Sequence, residues 1–169
     1  MLRHPLFMVC SALLLVLLIV VGSMRVLFEK SDSLVALQDG WETQTDGGTL
    51  EENSLPLRLD YEDDSGGRLR LEREHWLEAD QASVAVLVEA PRFRVDVYWD
   101  GRRIGGSWSA VESSDQHPPG EPVVAVIPES MAKEGPHRLA LEVVGEDSIV
   151  GIDGGVFIGS MVEAEQKVR

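Results

Sequence analysis

Cysteine is almost absent from this sequence: Cys10 is the only one in 169 residues, and it sits inside an apolar run. A disulfide framework is therefore excluded, and the chain must hold together by packing. Basic residues are scarce, with 15 Lys and Arg against 29 Asp and Glu and a formal net charge of −14. Residues 1–30 hold Arg3, Arg25 and Lys30 against Glu29, a surplus of two positive charges, so the rest of the chain carries −16. A surface so acidic repels nucleic acid and the face of an anionic bilayer. No nucleic-acid partner is expected. Amphipathic helical patterns are missing too, which argues against parallel α/β folds, because their crossovers need helices. The histidines (His4, His75, His117 and His137) fall in no H-E-x-x-H or paired spacing. There is no G-x-S-x-G elbow, and Gly105-Gly106 is not followed by the Lys-Ser/Thr of a phosphate loop. No catalytic residue, metal or cofactor is expected, and the expectation is a protein that is not an enzyme.

One long apolar run is present. Between Arg3 and Arg25 there is no Lys, Arg, Asp or Glu, and Leu6 to Gly22 is rich in Leu, Val and Ile. About 20 apolar residues at 1.5 Å rise cross a hydrocarbon layer of about 30 Å. The expectation is a single transmembrane anchor through residues 4–24 of an inner (cytoplasmic) membrane, with the domain in the periplasm or outside the cell. A cleaved signal peptide is the rival, since Arg3 supplies a basic n-region and Val21-Gly22-Ser23 the small residues of a cleavage site. The run exceeds the usual apolar stretch of a signal peptide, about 7–15 residues, which favours the anchor. A lipoprotein is disfavoured because Met8-Val9 ahead of Cys10 lacks a small residue. The organisation expected is an anchor or signal peptide over 1–30, a β-sandwich binding or sensor domain over 31–160, and a polar tail over 161–169, with a helix left open from Val162 to Arg169.

The exported part reads as short strands. Leu34 to Leu37 opens it, Asp39-Gly40 turns it, and Glu42 to Ser54 reads as a polar loop. Leu55, Leu57, Leu59 and Tyr61 alternate with polar residues, as do Leu69 and Leu71, which predicts two half-buried strands pairing as a hairpin. His75-Trp76-Leu77 breaks the alternation. Ala82 to Val88 is almost wholly apolar and reads as a strand buried on both faces. Pro122 to Ile127, Leu139 to Val143 and a glycine-interrupted Ile149 to Ile158 supply further strands, with one helical turn between Pro128 and Gly135. Eight or nine short strands, with a turn signal every 8–12 residues or so, predict an all-β sandwich or jelly roll.

The strongest local signal is Val95 to Gly106, VDVYWDGRRIGG, where Asp100-Gly101 joins two extended runs. A type I′ turn needs positive φ at both central residues, and Asp-Gly tolerates it. Val97-Tyr98-Trp99-Asp100-Gly101 resembles the V-x-(apolar)-N-G hairpin of galactose-binding-like β-sandwich domains. That family continues with a strand, a helical turn and G-x-N-x-L; here stand Val123 to Pro128 and Gly135-Pro136-His137-Arg138-Leu139. Gly154-Gly155-Val156-Phe157-Ile158-Gly159 resembles its last strand and Gly40-Trp41 its entry, so the likeness covers roughly residues 34–160. Asp100 and His137 each stand where Asn is usual, and His137 lacks the amide that could pin the adjacent loop. The resemblance is closest to the extracytoplasmic sensor module of bacterial seven-transmembrane receptors with diverse intracellular signalling modules. A second likeness is to the sugar-binding domain at the N-terminus of some β-glycosidases. It implies a galactose-binding-like jelly-roll sandwich behind one N-terminal transmembrane helix. Such receptors continue into further spans and an output module, whereas this sequence ends at Arg169, so any signal is expected to pass to a partner membrane protein.

Sugar sites use aromatic faces for stacking and polar side chains for hydroxyls. Trp76 and Trp108 lie at strand ends; Tyr98 points outward if Val97 and Trp99 point in, sharing its face with Arg92, Arg94 and Asp96. Trp108, Trp76, Tyr98, Arg94 and Asp96 are the candidate carbohydrate-binding residues, while Trp41 and Trp99 read as core plugs. Asp60, Glu62, Asp64 and Gly66 faintly match a calcium loop, but no bidentate Glu sits at the twelfth position, and a solvated turn is the simpler reading. Two functions remain: a sensing module, or a structural subunit of a cell-envelope complex that uses the sandwich for protein contacts. Glycoside cleavage would require two carboxylates about 5–10 Å apart in a cleft.

Overall fold

The computed structural model describes residues 34–45, 48, 50–60, 67–92, 94–107, 120–145 and 149–169. The chain divides after residue 32, and every described residue belongs to the second unit, residues 33–169. The apolar run of the anchor lies outside the described residues, as do Trp108 and residues 61–66 of the acidic turn. Among the described residues no helix is long and apolar enough to cross a membrane.

The described residues form twelve strands and one helix: β1 (Val35–Ala36), β2 (Trp41–Thr45), β3 (Leu50–Asn53), β4 (Leu57–Asp60), β5 (Arg68–Leu77), β6 (Val84–Val88), β7 (Arg94–Trp99), β8 (Arg102–Gly106), β9 (Val123–Ile127), β10 (Gly135–Val144), β11 (Ile149–Ile152), β12 (Val156–Ser160) and α1 (Met161–Val168). A six-stranded sheet runs in the order β3-β2-β5-β10-β7-β8, a four-stranded sheet runs β1-β12-β6-β9, and β11 pairs with β4. Every pairing is antiparallel. This is the all-β sandwich expected.

Period-two alternation builds the core. Trp41, Leu69, Leu71, Val95, Val97, Trp99, Leu139 and Leu141 project inward from the large sheet, and Val84, Val86, Ala125, Ile127, Val156 and Ile158 from the small one. Both buried indoles find acceptors, as buried Trp must: Trp41 Nε1–H donates to the Leu37 carbonyl at 2.8 Å and Trp99 Nε1–H to the Met131 carbonyl at 3.1 Å. The Asp100-Gly101 turn takes the expected form, with φ of 50° and 77°. Gly105 lets β8 close on the opposite sheet, since a Cβ there would lie 2.7 Å from the Ala125 Cβ.

Several expectations fail, each for a tertiary reason. Residues 42–45 and 50–53 are strand rather than the expected loop: β2 and β3 pair, with Trp41 and Thr43 buried and Glu42 and Gln44 exposed. Polar residues hide this alternation, because only every second one meets the core. The strand at 57–60 does not pair with β5; it pairs with β11, while β5 lies between β2 and β10. His75-Trp76-Leu77 does not break the alternation, since β5 runs through it with Trp76 outward and Leu77 buried. The run 149–158 is two strands in different sheets, parted at Asp153 to Gly155. The polar tail, for which the sequence leaves a helix open, is a helix, and what the sequence does not show is that it packs on the sandwich. Ser160 caps it by accepting from the Glu163 N–H. Ala164 packs with Ala85, Leu87 and Phe157 on the outer face of the small sheet. That cover explains why β6 is buried on both faces, as its sequence predicts.

Candidate functional site

One corner of the described residues lies where β5 and β10 outrun their neighbours. β2 covers β5 only from Leu69 to Glu72, and β7 covers β10 only from Leu139 to Val144. Arg73 to Leu77 and Gly135 to Arg138 therefore make a two-stranded extension, with Pro136 opposite Trp76 and His137 opposite His75. At its root Trp99 is fully buried. The His137 ring stacks on it with centroids 4.8 Å apart and planes 26° off parallel, and His75 meets it tilted at 6.3 Å.

Asp100, in the turn between β7 and β8, ties this corner together. Its Oδ1 accepts from the Arg138 N–H at 2.8 Å, and its own N–H donates to the Arg138 carbonyl at 2.8 Å. Its Oδ2 lies 2.7 Å from His137 Nδ1, while His137 Nε2 lies 2.7 Å from the Lys133 carbonyl. The turn carrying Lys133 is held from the other side by Asp80, which pairs with Lys133 Nζ at 3.1 Å and accepts from the Glu134 N–H at 2.9 Å. Beside the corner is an open cleft of about 660 Å³, lined by Gly40, Glu42, Glu72, Arg73, Glu74, Asp100, Pro136, His137 and Arg138.

The two histidines are electrostatically unlike. Burial alone would lower the pKa of His137, but hydrogen bonds to the Asp100 carboxylate and the Lys133 carbonyl, with the Asp100 charge, raise it above the ordinary imidazole value. His75 is pushed down by burial first, then by the positive charges of Arg73 and His137. Among the described residues no three His, Cys, Asp or Glu side chains are grouped to hold a metal ion.

Arg94, Asp96 and Tyr98 do share the outer face of the six-stranded sheet, as their alternation predicts. They are, however, engaged with protein partners. Asp96 is only 4% exposed and lies between Arg94 NH2 and Arg103 NH2, both 2.8 Å from its oxygens. Tyr98 donates its hydroxyl to Glu142 Oε2 at 3.1 Å, and burial, then this bond, raises its pKa. Arg70 pairs with Glu72 at 2.5 Å and with Glu142, and Arg138 pairs with Glu72. Trp76 lies on the same face but apart from these: it stands opposite Pro136, whereas Tyr98 stands opposite Ala140. Four residues along an antiparallel strand are about 14 Å. Trp76 is 61% exposed. Glu74, Glu72 and Arg138, which line the cleft, lie between the two aromatics. Sequence reasoning missed Arg73, Glu74, Arg138 and the pairing of Asp100 with His137. Both departures from the asparagine pattern are visible in the sequence, but nothing in one dimension joins them.

No family model matches the chain, and no curated protein does. Solved structures match its fold. A GH2 β-galacturonidase from Eisenbergiella tayi aligns over 78% of this chain and 25% of its own, at 15% identity and a TM-score of 0.57. A β-glucuronidase from Ruminococcus gnavus aligns over 78% of this chain and 29% of its own, at 14% identity and a TM-score of 0.60. The chain shares a sandwich fold with part of each enzyme. It spans little more than a quarter of their length, and the fold is consistent with the galactose-binding-like type.

Proposed function

We propose that the chain is a membrane-anchored extracytoplasmic binding module without catalytic activity, whose ligand is a carbohydrate and whose signal passes through a partner membrane protein. The observation that carries the reading is Trp76. A large indole stands 61% exposed on the outer face of the two-stranded extension, two residues from Glu74 at the cleft. An exposed aromatic plane beside carboxylate and guanidinium groups offers stacking to a sugar ring and partners to its hydroxyls. The apolar run over residues 4–24 supports the anchor. The test is tryptophan fluorescence of the full chain in detergent micelles, titrated with cellohexaose, maltohexaose and chitohexaose. A saturable change with one of them, lost in Trp76→Ala, is expected; no change with any overturns the carbohydrate reading. Gentle solubilisation that yields only a free monomer would overturn the signalling part.

A second reading, an envelope subunit using the sandwich for protein contacts, draws on the outer face itself. Arg94, Asp96, Tyr98 and Glu142 are engaged with protein partners, so a broad polar surface is pre-ordered for a large partner. A partner that co-purifies undiminished with Trp76→Ala would favour it.

A further inference from the structure

His137 faces two groups that can only accept. The Lys133 carbonyl lies 2.7 Å from Nε2, so Nε2 must carry a proton; the Asp100 carboxylate lies 2.7 Å from Nδ1, so Nδ1 must carry one too. A neutral imidazole has one N–H and serves only one of them. Left without its proton, either nitrogen would put a lone pair against an oxygen at 2.7 Å. The side chain is only 10% exposed, so water is poorly placed to intervene.

We propose that His137 is a proton-operated latch: doubly protonated, it bolts the Asp100 turn to the Lys133 turn, and on losing a proton it releases one of them and loosens that wall of the cleft.

The surroundings are arranged for one proton at this place. Asp100 faces His137 from the β7–β8 turn, and its second oxygen is held by the Arg138 N–H, so the carboxylate stays aimed. From β7 the indole of Trp99 offers its face to the ring, which favours a cation. From β5 come the cross-strand partner His75 and Arg73: burial first, then the charges of Arg73 and His137, push the His75 pKa down. From the turn ahead of β10 comes a carbonyl, while the Lys133 ammonium is drawn away to Asp80. The proton on His137 thus answers to the Asp100 charge. Asp100, His137 and Arg138 all line the cleft, so occupation of the cleft is coupled to this proton. That last step rests on the binding reading; the latch does not.

The test uses the uniformly ¹⁵N-labelled full chain in detergent micelles, following the histidine ring nitrogens and the backbone amides by NMR against pH, with His137→Asn to assign the ring signal. The expected result is a His137 ring that holds both protons above the ordinary imidazole range, with the Lys133 and Asp100 amide signals shifting as it titrates. Asp100→Asn should move the titration down. A His137 titration at or below the ordinary value, or amides of both turns indifferent to it, overturns the latch; the wild-type titration alone decides this if the variant fails to fold. Cellohexaose, maltohexaose and chitohexaose are then titrated at pH values on either side of the measured transition. Binding that weakens at least several-fold as His137 loses its proton supports the coupling, and binding indifferent to it overturns the coupling. No binding at any pH, with the high titration intact, leaves the latch supported and removes the carbohydrate reading.

Discussion

Asp100 Oδ2 and His137 Nδ1 lie 2.7 Å apart, joining the turn after β7 to the start of β10, and the imidazole between them and Trp99 is almost closed off from solvent. Each residue holds a further turn atom, Asp100 the Arg138 N–H and His137 the Lys133 carbonyl. With the Trp99 bond to the Met131 carbonyl, the pair gives the two turns one shared geometry.

Stability should depend on pH through this pair. The pKa of His137 is raised on folding, so its contribution is fully present below about pH 6.5, the unfolded value, and is lost as pH rises through the folded value. Urea denaturation of wild type, Asp100→Asn, His137→Asn and the double variant should give a coupling of about 1 kcal/mol at pH 5.5 that fades in alkaline solution. A coupling that grew with pH would contradict the assignment of charge.

Asp96 should matter more to stability than to binding. It is buried with Arg94 and Arg103 against its two oxygens, so Asp96→Ala takes the carboxylate from both guanidinium groups. A loss of about 1–3 kcal/mol is expected by chemical denaturation, with Asp96→Asn milder. Oligosaccharide affinity, measured where the variant is folded, should stay near wild type.

Gly105→Val should destabilise the sandwich by about 1–3 kcal/mol, read as a lower urea midpoint. Its Cβ would fall 2.7 Å from the Ala125 Cβ and 3.0 Å from the Ala125 Cα, so one strand backbone must move away from the other.

Trp99→Phe keeps an aromatic ring under His137 but removes the donor to the Met131 carbonyl. A cost of about 1–3 kcal/mol is expected. The same variant should lower the His137 titration by NMR if the indole face helps hold its proton.

Ala164→Glu tests whether the terminal helix belongs to the domain. Ala164 is fully buried against Ala85 and Leu87, and a carboxylate there has no partner. The variant should lose about 2–4 kcal/mol and expose apolar surface to a hydrophobic dye. A tail independent of the sandwich would show no change.

Much of the fold is legible residue by residue. Asp100-Gly101 announces its turn because few pairs tolerate positive φ twice, and Val84 to Val88 announces a doubly covered strand because no position is spared for water. Trp41 and Trp99 read as core plugs and are. By contrast β2 is polar at four of its five positions, and its pairing shows only when β5 lies beside it. β4 looks like the partner of β5 because hairpins join neighbours in sequence, yet β11 takes that place, a choice made by the closing of the sandwich. The terminal helix is too short to show an apolar stripe of its own, and Ala164 gains meaning only from Leu87.

The candidate site divides in the same way. Alternation by itself places Arg94, Asp96 and Tyr98 on one face, since period two is a local property of an extended chain. It does not say that they engage protein partners, because the arginine and glutamate that occupy them arrive from β8 and β10. The acidic surface, the lack of disulfides and the alternating strands are determined by composition and spacing. The meeting of Asp100 with His137, 37 residues apart, is decided by the register of β10 on β7, where a one-residue slip would turn the histidine to the other face.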